Sequence, residues 1–458
     1  MKHSDIRSFP HDFRWGVSTA SYQIEGAVTE GGRGQSIWDT FSHTPGLVHN
    51  GDNGDIAVDH YHRWEADLDL MASLGIKHYR MSLAWPRLQP TGSGELNREG
   101  LAFYRELLTG MRDRGITPLV TLYHWDLPQT LEDAGGWANR ETAHRFAEYA
   151  SRVVAELGFL ATDWITINEP WCVSFLGYER GAQAPGKKDT RLAVAAAHHT
   201  NLAHGLALAA IRMIDPSLRV SNSNLVTDLV PATDSAEDAA AVVRLDAMNN
   251  RIFLDAVYGG GYSDVVHDLF DEFGLAELIH EGDLELIGRP VDYVGLNHYQ
   301  RIVVSADDTA GGYLRLTERP AEPATTSFGW SVEPDSLRSV LARIKRDYSD
   351  LPIYVTENGA SYNDYADPNG EVKDPERVEF FSGYLSAAAT AIREGVNLQG
   401  FYAWSFLDNF EWAEGYSKRF GLIYVDYATQ ARIPKSSAHW YRQLIAEHEA
   451  LETREPPH

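Results

Sequence analysis

The chain has 458 residues, 43% of them hydrophobic and 23% charged, with a formal net charge of −25. That balance is ordinary for a folded protein, and acidic residues spread along the whole chain repel phosphate backbones and anionic lipid, so we expect neither a nucleic-acid nor a membrane partner. Cys172 is the single cysteine, which rules out an intrachain disulfide. The opening Met-Lys-His-Ser-Asp-Ile-Arg has no apolar core, and no apolar run reaches about 18 residues; the expected setting is reducing and cytoplasmic.

In chain order, β-rich apolar stretches stand at 14–20, 77–85, 117–124, 163–168, 219–225, 291–299, 353–357 and 398–405. Several are nearly continuous in Val, Ile, Leu, Tyr and Trp, the composition of strands buried on both faces. Between and after them lie amphipathic helical patterns at 60–74, 97–114, 140–157, 191–214, 236–258, 334–348, 375–393 and 436–448. Eight strand-then-helix units predict a closed (β/α)8 TIM barrel, and we read 1–458 as one such domain. An open doubly wound sheet is the competitor, and it wants a Gly-rich phosphate loop that no early strand carries.

A minimal barrel needs about 250 residues, so the surplus goes into loops. The stretches 21–59, 169–189, 300–332 and 406–433 follow strands and are expected to wall a deep pocket at the C-terminal face. The segment 305–328, rich in Ala, Thr, Pro and Glu, reads as a surface loop.

Residues at the C-terminal strand ends point into the mouth of a barrel. Here they are Gln23, Arg80, His124, Trp125, Asn168, Glu169, Asn297, Tyr299, Glu357 and Trp404. A lone Glu at a strand end is usually a solvated loop residue. Two of them, on strands four and seven and each beside an Asn, face one another across the axis. Paired carboxylates split a glycosidic bond when one donates a proton and the other attacks the sugar. Arg80 and the Tyr299 hydroxyl are placed to keep Glu357 ionised, and that charge raises the pKa of Glu169 so that it holds its proton. The retaining version of this chemistry needs the two carboxyl groups about 5–5.5 Å apart.

Six runs in this order and spacing carry a resemblance: 13–26 (FRWGVSTASYQIEG), 79–86 (YRMSLAWP), 123–128 (YHWDLP), 166–171 (TINEPW), 354–359 (YVTENG) and 404–421 (WSFLDNFEWAEGYSKRFG). The chain resembles the β-glucosidases of glycoside hydrolase family 1 over essentially its full length. The resemblance implies a cofactor-free retaining exo-β-glycosidase acting on small β-glycosides, with Glu169 as acid/base and Glu357 as nucleophile. It implies that Gln23, His124, Trp125, Asn168, Glu411 and Trp412 hold the sugar, with Trp404 beneath its ring. Arg80, Asn297 and Tyr299 would steady the nucleophile, Phe420 would line the pocket near the terminal carbon, and Trp330 would stand at the aglycone entrance. One departure is Asn297-His298-Tyr299, where the family usually has Asn-Tyr-Tyr. Alternation along a strand turns His298 outward.

Other readings stay open on the residues alone. The same fold serves galactosides, fucosides or sugar transfer to an alcohol, depending on loops whose shapes are not legible. A 6-phosphoglycoside needs a cation after strand eight, where this chain has Glu411. A metal-dependent barrel hydrolase would draw on His198, His199 and His204; these share one amphipathic helix of the outer ring with no carboxylate nearby to complete a site and read as structural, and exhaustive EDTA treatment separates the two chemistries. A catalytically dead sugar-binding protein would not keep both carboxylates with their Asn, Arg and Tyr. Trp38, Trp64, Trp85 and Trp164 read as core, and Cys172, with no adjacent base, as an inert thiol. Nothing in the sequence separates a monomer from a homo-oligomer.

Overall fold

A computed structural model of the chain describes residues 3–321 and 325–452. Eight parallel strands close into a barrel. They are β1 (Arg14–Ser18), β2 (His78–Ser82), β3 (Thr117–Tyr123), β4 (Asp163–Asn168), β5 (Arg219–Leu225), β6 (Val294–Asn297), β7 (Ile353–Asn358) and β8 (Leu398–Trp404). Closure is made by β1 on β8, with Arg14 opposite Gly400 and Ser18 opposite Trp404. Every residue of β4 and β7 is buried, the apolar ones Trp164, Ile165, Ile167, Ile353, Tyr354 and Val355 together with the polar ones at the C-terminal ends.

The outer ring consists of α1 (His60–Ser73), α2 (Arg98–Asp113), α3 (Arg140–Leu157), α4 (Thr190–Ile214), α5 (Ala236–Asp246), α6 (Pro334–Asp347), α7 (Pro375–Arg393) and α8 (Ser436–Glu452). Asn97, Asn139 and Asp189 cap the starts of α2, α3 and α4 through their side-chain oxygens. The helical pattern at 236–258 is not one helix: a π-helical turn, Ala247–Arg251, separates α5 from a second helix, Ile252–Tyr258. No helix among the described residues is long and apolar enough to cross a membrane.

Two expectations need correction. The stretch 305–328 is not simply a surface loop, because Arg301–Ala306 and Leu316–Pro320 pair antiparallel and Asp228–Pro231 adds to them in parallel. Val304 is buried within that small sheet; residues 322–324 lie outside the described residues. Strand six is also shorter than the 291–299 expected: β6 spans only Val294–Asn297, and before it the Asp292 carboxylate, in place of a backbone carbonyl, accepts the Val220 N–H at 2.7 Å.

The N-terminal end of the barrel is plugged. Tyr293, Tyr354, Tyr402, Leu119 and Ile165 form their own buried cluster there. Arg14 and Arg219 pair with Asp163 at 3.2 and 3.1 Å, and Arg14 also lies 4.9 Å over the Tyr354 ring. Only the C-terminal face is left open for a ligand.

Candidate active site

At that face the ladder is irregular. Register shifts fall between Ile165 and Asn168 on β4, between Val355 and Glu357 towards β6, and between Val355 and Asn358 towards β8. Such irregularities re-aim side chains at strand ends. Trp125, Glu169 and Trp412 all have positive φ, at 80°, 45° and 52°, a left-handed conformation that is costly for residues with a Cβ and that clusters at functional sites. Gly359 has no such freedom to spare: a Cβ there would stand 1.8 Å from the Trp404 carbonyl oxygen, so β7 and β8 meet only over a glycine.

Glu357 is held from two sides. One carboxylate oxygen pairs with the Arg80 guanidinium and the other accepts from the Tyr299 hydroxyl at 2.6 Å. Arg80 is fully buried and also donates to Asn168 Oδ1 at 2.6 Å. Burial and the charge of Glu357 hold the Tyr299 phenol well above its ordinary pKa, so it remains a donor.

Glu169 leaves the end of β4. Asn297 Nδ2 donates to its Oε1 at 2.8 Å and the Cys172 thiol to its Oε2 at 3.1 Å. The Ser223 and Thr356 hydroxyls, 2.9 and 2.7 Å from Asn297 Oδ1, turn that amide so its NH2 faces the carboxyl. Burial, and after it the charge of Glu357, push the Glu169 pKa from 4.5 up to about 8. The carboxyl is therefore protonated near neutrality. Two like residues in one cavity thus have unlike partners: Glu357 an arginine and a phenol, Glu169 an amide and a thiol.

The pocket has a volume of about 300 Å³ and is walled by both glutamates with His124, Trp404, Glu411 and Trp412 on one side and Tyr299, Trp330 and Phe420 on another. Trp125 also lines it, with its indole N–H on the Asn168 carbonyl at 3.1 Å. Trp404 stacks on His124 with centroids 5.9 Å apart, and Trp330 stacks on Phe328 at 4.3 Å. Gln23, Arg80, Asn168 and Asn297 are fully buried behind this wall. Asn168 Nδ2 donates to His124 Nε2 at 3.0 Å. Burial, reinforced by Arg80, keeps the imidazole neutral, so its proton sits on Nδ1. Among the described residues His124 Nδ1 and Gln23 Oε1 are buried with no partner, as ligand-facing groups are before a ligand arrives. The Gln23 amide donates to Glu411 at 3.2 Å. Glu411 too is raised to about 8, by burial first and Glu357 second.

Sequence reasoning undervalued Cys172 and Trp38 and overstated the burial of Trp64. Cys172 is the thiol against Glu169, not a bystander; its place three residues after Glu169, in the turn following the strand, was the available signal. Trp38 is core, as are Trp85 and Trp164, but it also backs Trp412 at 4.7 Å. Trp64 is only half-buried, packed over Gly110. His298 does face outward, bonded to the Val226 carbonyl at 2.8 Å and to Ser336 at 2.7 Å. The histidines of α4 are held by protein groups: His199 by the Trp137 carbonyl at 2.9 Å and His204 by Thr166 at 2.7 Å. The notion that no carboxylate stands near them is wrong, since folding brings Asp283 to 3.1 Å from His198; Arg140 already pairs with that carboxylate. Among the described residues no group of three His, Cys, Asp or Glu is arranged to hold a metal ion.

The model of glycosyl hydrolase family 1 matches residues 5–450. The chain belongs to this family. Family 1 relatives include β-glucosidase A of Thermotoga maritima, 43% identical over 444 residues that cover 96% of this chain and 98% of that enzyme. A bifunctional β-D-glucosidase/β-D-fucosidase of Bifidobacterium breve is 44% identical over 464 residues, covering 96% and 99%. The solved structure of the Thermotoga maritima β-glucosidase in complex with deoxynojirimycin superposes with a TM-score of 0.93 at 42% identity, covering 96% of this chain and 99% of that one. The barrel fold is thus common to this chain and an enzyme whose structure holds deoxynojirimycin.

Proposed function

We propose that the protein is a retaining exo-β-glucosidase that removes terminal non-reducing β-D-glucosyl units from cello-oligosaccharides or from aryl and alkyl β-glucosides. The observation that carries this reading is the contrast between the two glutamates: Glu357 clasped by Arg80 and Tyr299, and Glu169 holding its proton in the same cavity. Glu357 attacks the anomeric carbon while Glu169 gives its proton to the glycosidic oxygen, and the aglycone leaves as an alcohol. The ester that forms removes the charge of Glu357. The pKa of Glu169 then falls, and its carboxylate takes a proton from the water that attacks the same carbon. The sugar departs with its β configuration retained, and both carboxyl groups return to their starting states.

In this reading His124, Trp125, Glu411 and Trp412 bind the sugar hydroxyls from the wall, with Gln23 and Asn168 reaching them from behind it. Trp404 forms the floor, Phe420 lies by the terminal carbon, and Trp330 borders the aglycone side. Asn297 positions Glu169 as well as lying beside Glu357. The name of the Bifidobacterium breve relative supports fucosides as a second substrate class. All of these residues come from one chain. The single cysteine supports a cytoplasmic setting.

The test is chemical rescue. Glu357→Gly should abolish hydrolysis, and azide or formate should restore turnover of an activated glucoside to give a product of inverted configuration. Absence of any rescue in a folded variant removes Glu357 from the nucleophile role.

A further inference from the structure

Asn249 lies on the cavity wall away from the sugar-holding cluster, and it is only 4% exposed. Its side-chain oxygen is buried and accepts nothing among the described residues. Its neighbour Asn250 is the contrast: that amide accepts the Thr227 N–H at 3.0 Å and donates to the Thr227 carbonyl at 3.1 Å and to Asp246 at 2.7 Å. Both residues sit in the π-helical turn Ala247–Arg251. Such turns break the side-chain register of a helix and recur at functional sites. Here the turn ties one asparagine into the scaffold and leaves the next to the cavity.

A second unpaired polar atom lies on the same wall. Trp171 Nε1 is buried without an acceptor among the described residues, and its ring is covered by the Arg180 guanidinium at 5.5 Å. The wall therefore offers an amide and an indole N–H among apolar neighbours such as Leu176 and Ile302. A plain aryl or alkyl aglycone leaves those buried groups unpaired, whereas hydroxyl groups satisfy them.

We propose that Asn249 is a specificity-determining residue that hydrogen-bonds a hydroxyl-bearing aglycone, the next sugar ring of an oligosaccharide. This rests on the β-glucosidase reading of the site. The same contact holds an acceptor sugar when the glucosyl enzyme is transferred to it: the acceptor oxygen bonds to the anomeric carbon, Glu169 takes its proton, and the ester bond to Glu357 breaks.

The test compares kcat/KM for cellobiose and for p-nitrophenyl β-glucoside in wild type and Asn249→Leu. The ratio of the two should fall about tenfold, the loss expected of one hydrogen bond to a buried partner. In parallel, enzyme trapped as its 2-deoxy-2-fluoroglucosyl ester is reactivated in water with and without cellobiose. The cellobiose-dependent rate should fall about tenfold, and the water rate by much less. A merely structural role would lower all four rates together, and that outcome, or an unchanged ratio, overturns the proposal. If the leucine variant does not fold, Asn249→Ala carries the same comparison. A wild-type enzyme that neither cleaves either substrate nor forms the trapped ester fails instead at the underlying reading, and the proposal falls with it.

Discussion

Glu169, Glu357 and Glu411 share one cavity, and each has different neighbours. Glu357 has an arginine and a phenol on its two oxygens. Glu169 has an amide and a thiol, both weak aids to a negative charge, so burial and the charge of Glu357 prevail and its pKa rises to about 8. An acid that must donate is useful only below its pKa. We therefore expect kcat/KM to decline at alkaline pH with an apparent pKa near 8, shared with Glu411, which titrates in the same range. In Glu169→Ala, methyl β-glucoside should lose about 10²–10⁴-fold in kcat/KM, while 2,4-dinitrophenyl β-glucoside, whose leaving group needs no proton, should lose far less. Parallel steady-state measurements on both substrates decide it, and equal losses would contradict the acid role.

At the scale of elements, the loop after β8 carries Glu411, Trp412 and Phe420, and a buried ionic cluster pins it. Asp408 accepts from Gly421 N at 2.9 Å, from Lys435 at 2.7 Å and from Arg419 at 2.6 Å. Lys435 also reaches Asp364 at 2.5 Å, which Arg377 of α7 contacts at 2.7 Å. The cluster thus joins the loops after β7 and β8 to the start of α7. Lys435 and Asp408 are both fully buried, so removing one partner leaves an uncompensated charge. Lys435→Met should cost about 3–5 kcal/mol in unfolding free energy. Adding Asp408→Asn should recover part of that loss, because fewer charges are then stranded. Urea denaturation of the single and double variants measures both, and a loss below about 1 kcal/mol would place the cluster among weak surface pairs.

For the whole molecule, the site itself weakens the fold at high pH. The Glu169 carboxyl binds its proton more tightly when folded, at about 8, than its ordinary 4.5 allows in the unfolded chain. Its contribution to stability is fully present below the unfolded value and is lost as pH rises through the folded one. Glu169→Gln removes the ionisation, so its thermal midpoint should match wild type near pH 5 and exceed it increasingly towards pH 8.5 in differential scanning calorimetry. A pH-independent difference would show that the carboxyl is not perturbed by burial in the folded state.

By itself, the amino-acid sequence determined the barrel, because eight doubly buried strands have no other closed partnering, and strand-end chemistry follows from strand position. It determined the pairing of Glu169 with Glu357 for a similar reason, since strands four and seven must face across any ring of eight. Only the tertiary structure decided that Cys172 touches Glu169, that Asp283 stands beside His198, that 301–320 forms a hairpin, and that Asn249 is left unpaired in a π-turn. The Asp283 contact joins segments far apart in the chain and the Asn249 outcome turns on a one-residue change of helical register, while the Cys172 contact and the hairpin are local; none of them leaves a periodicity that a linear reading can detect.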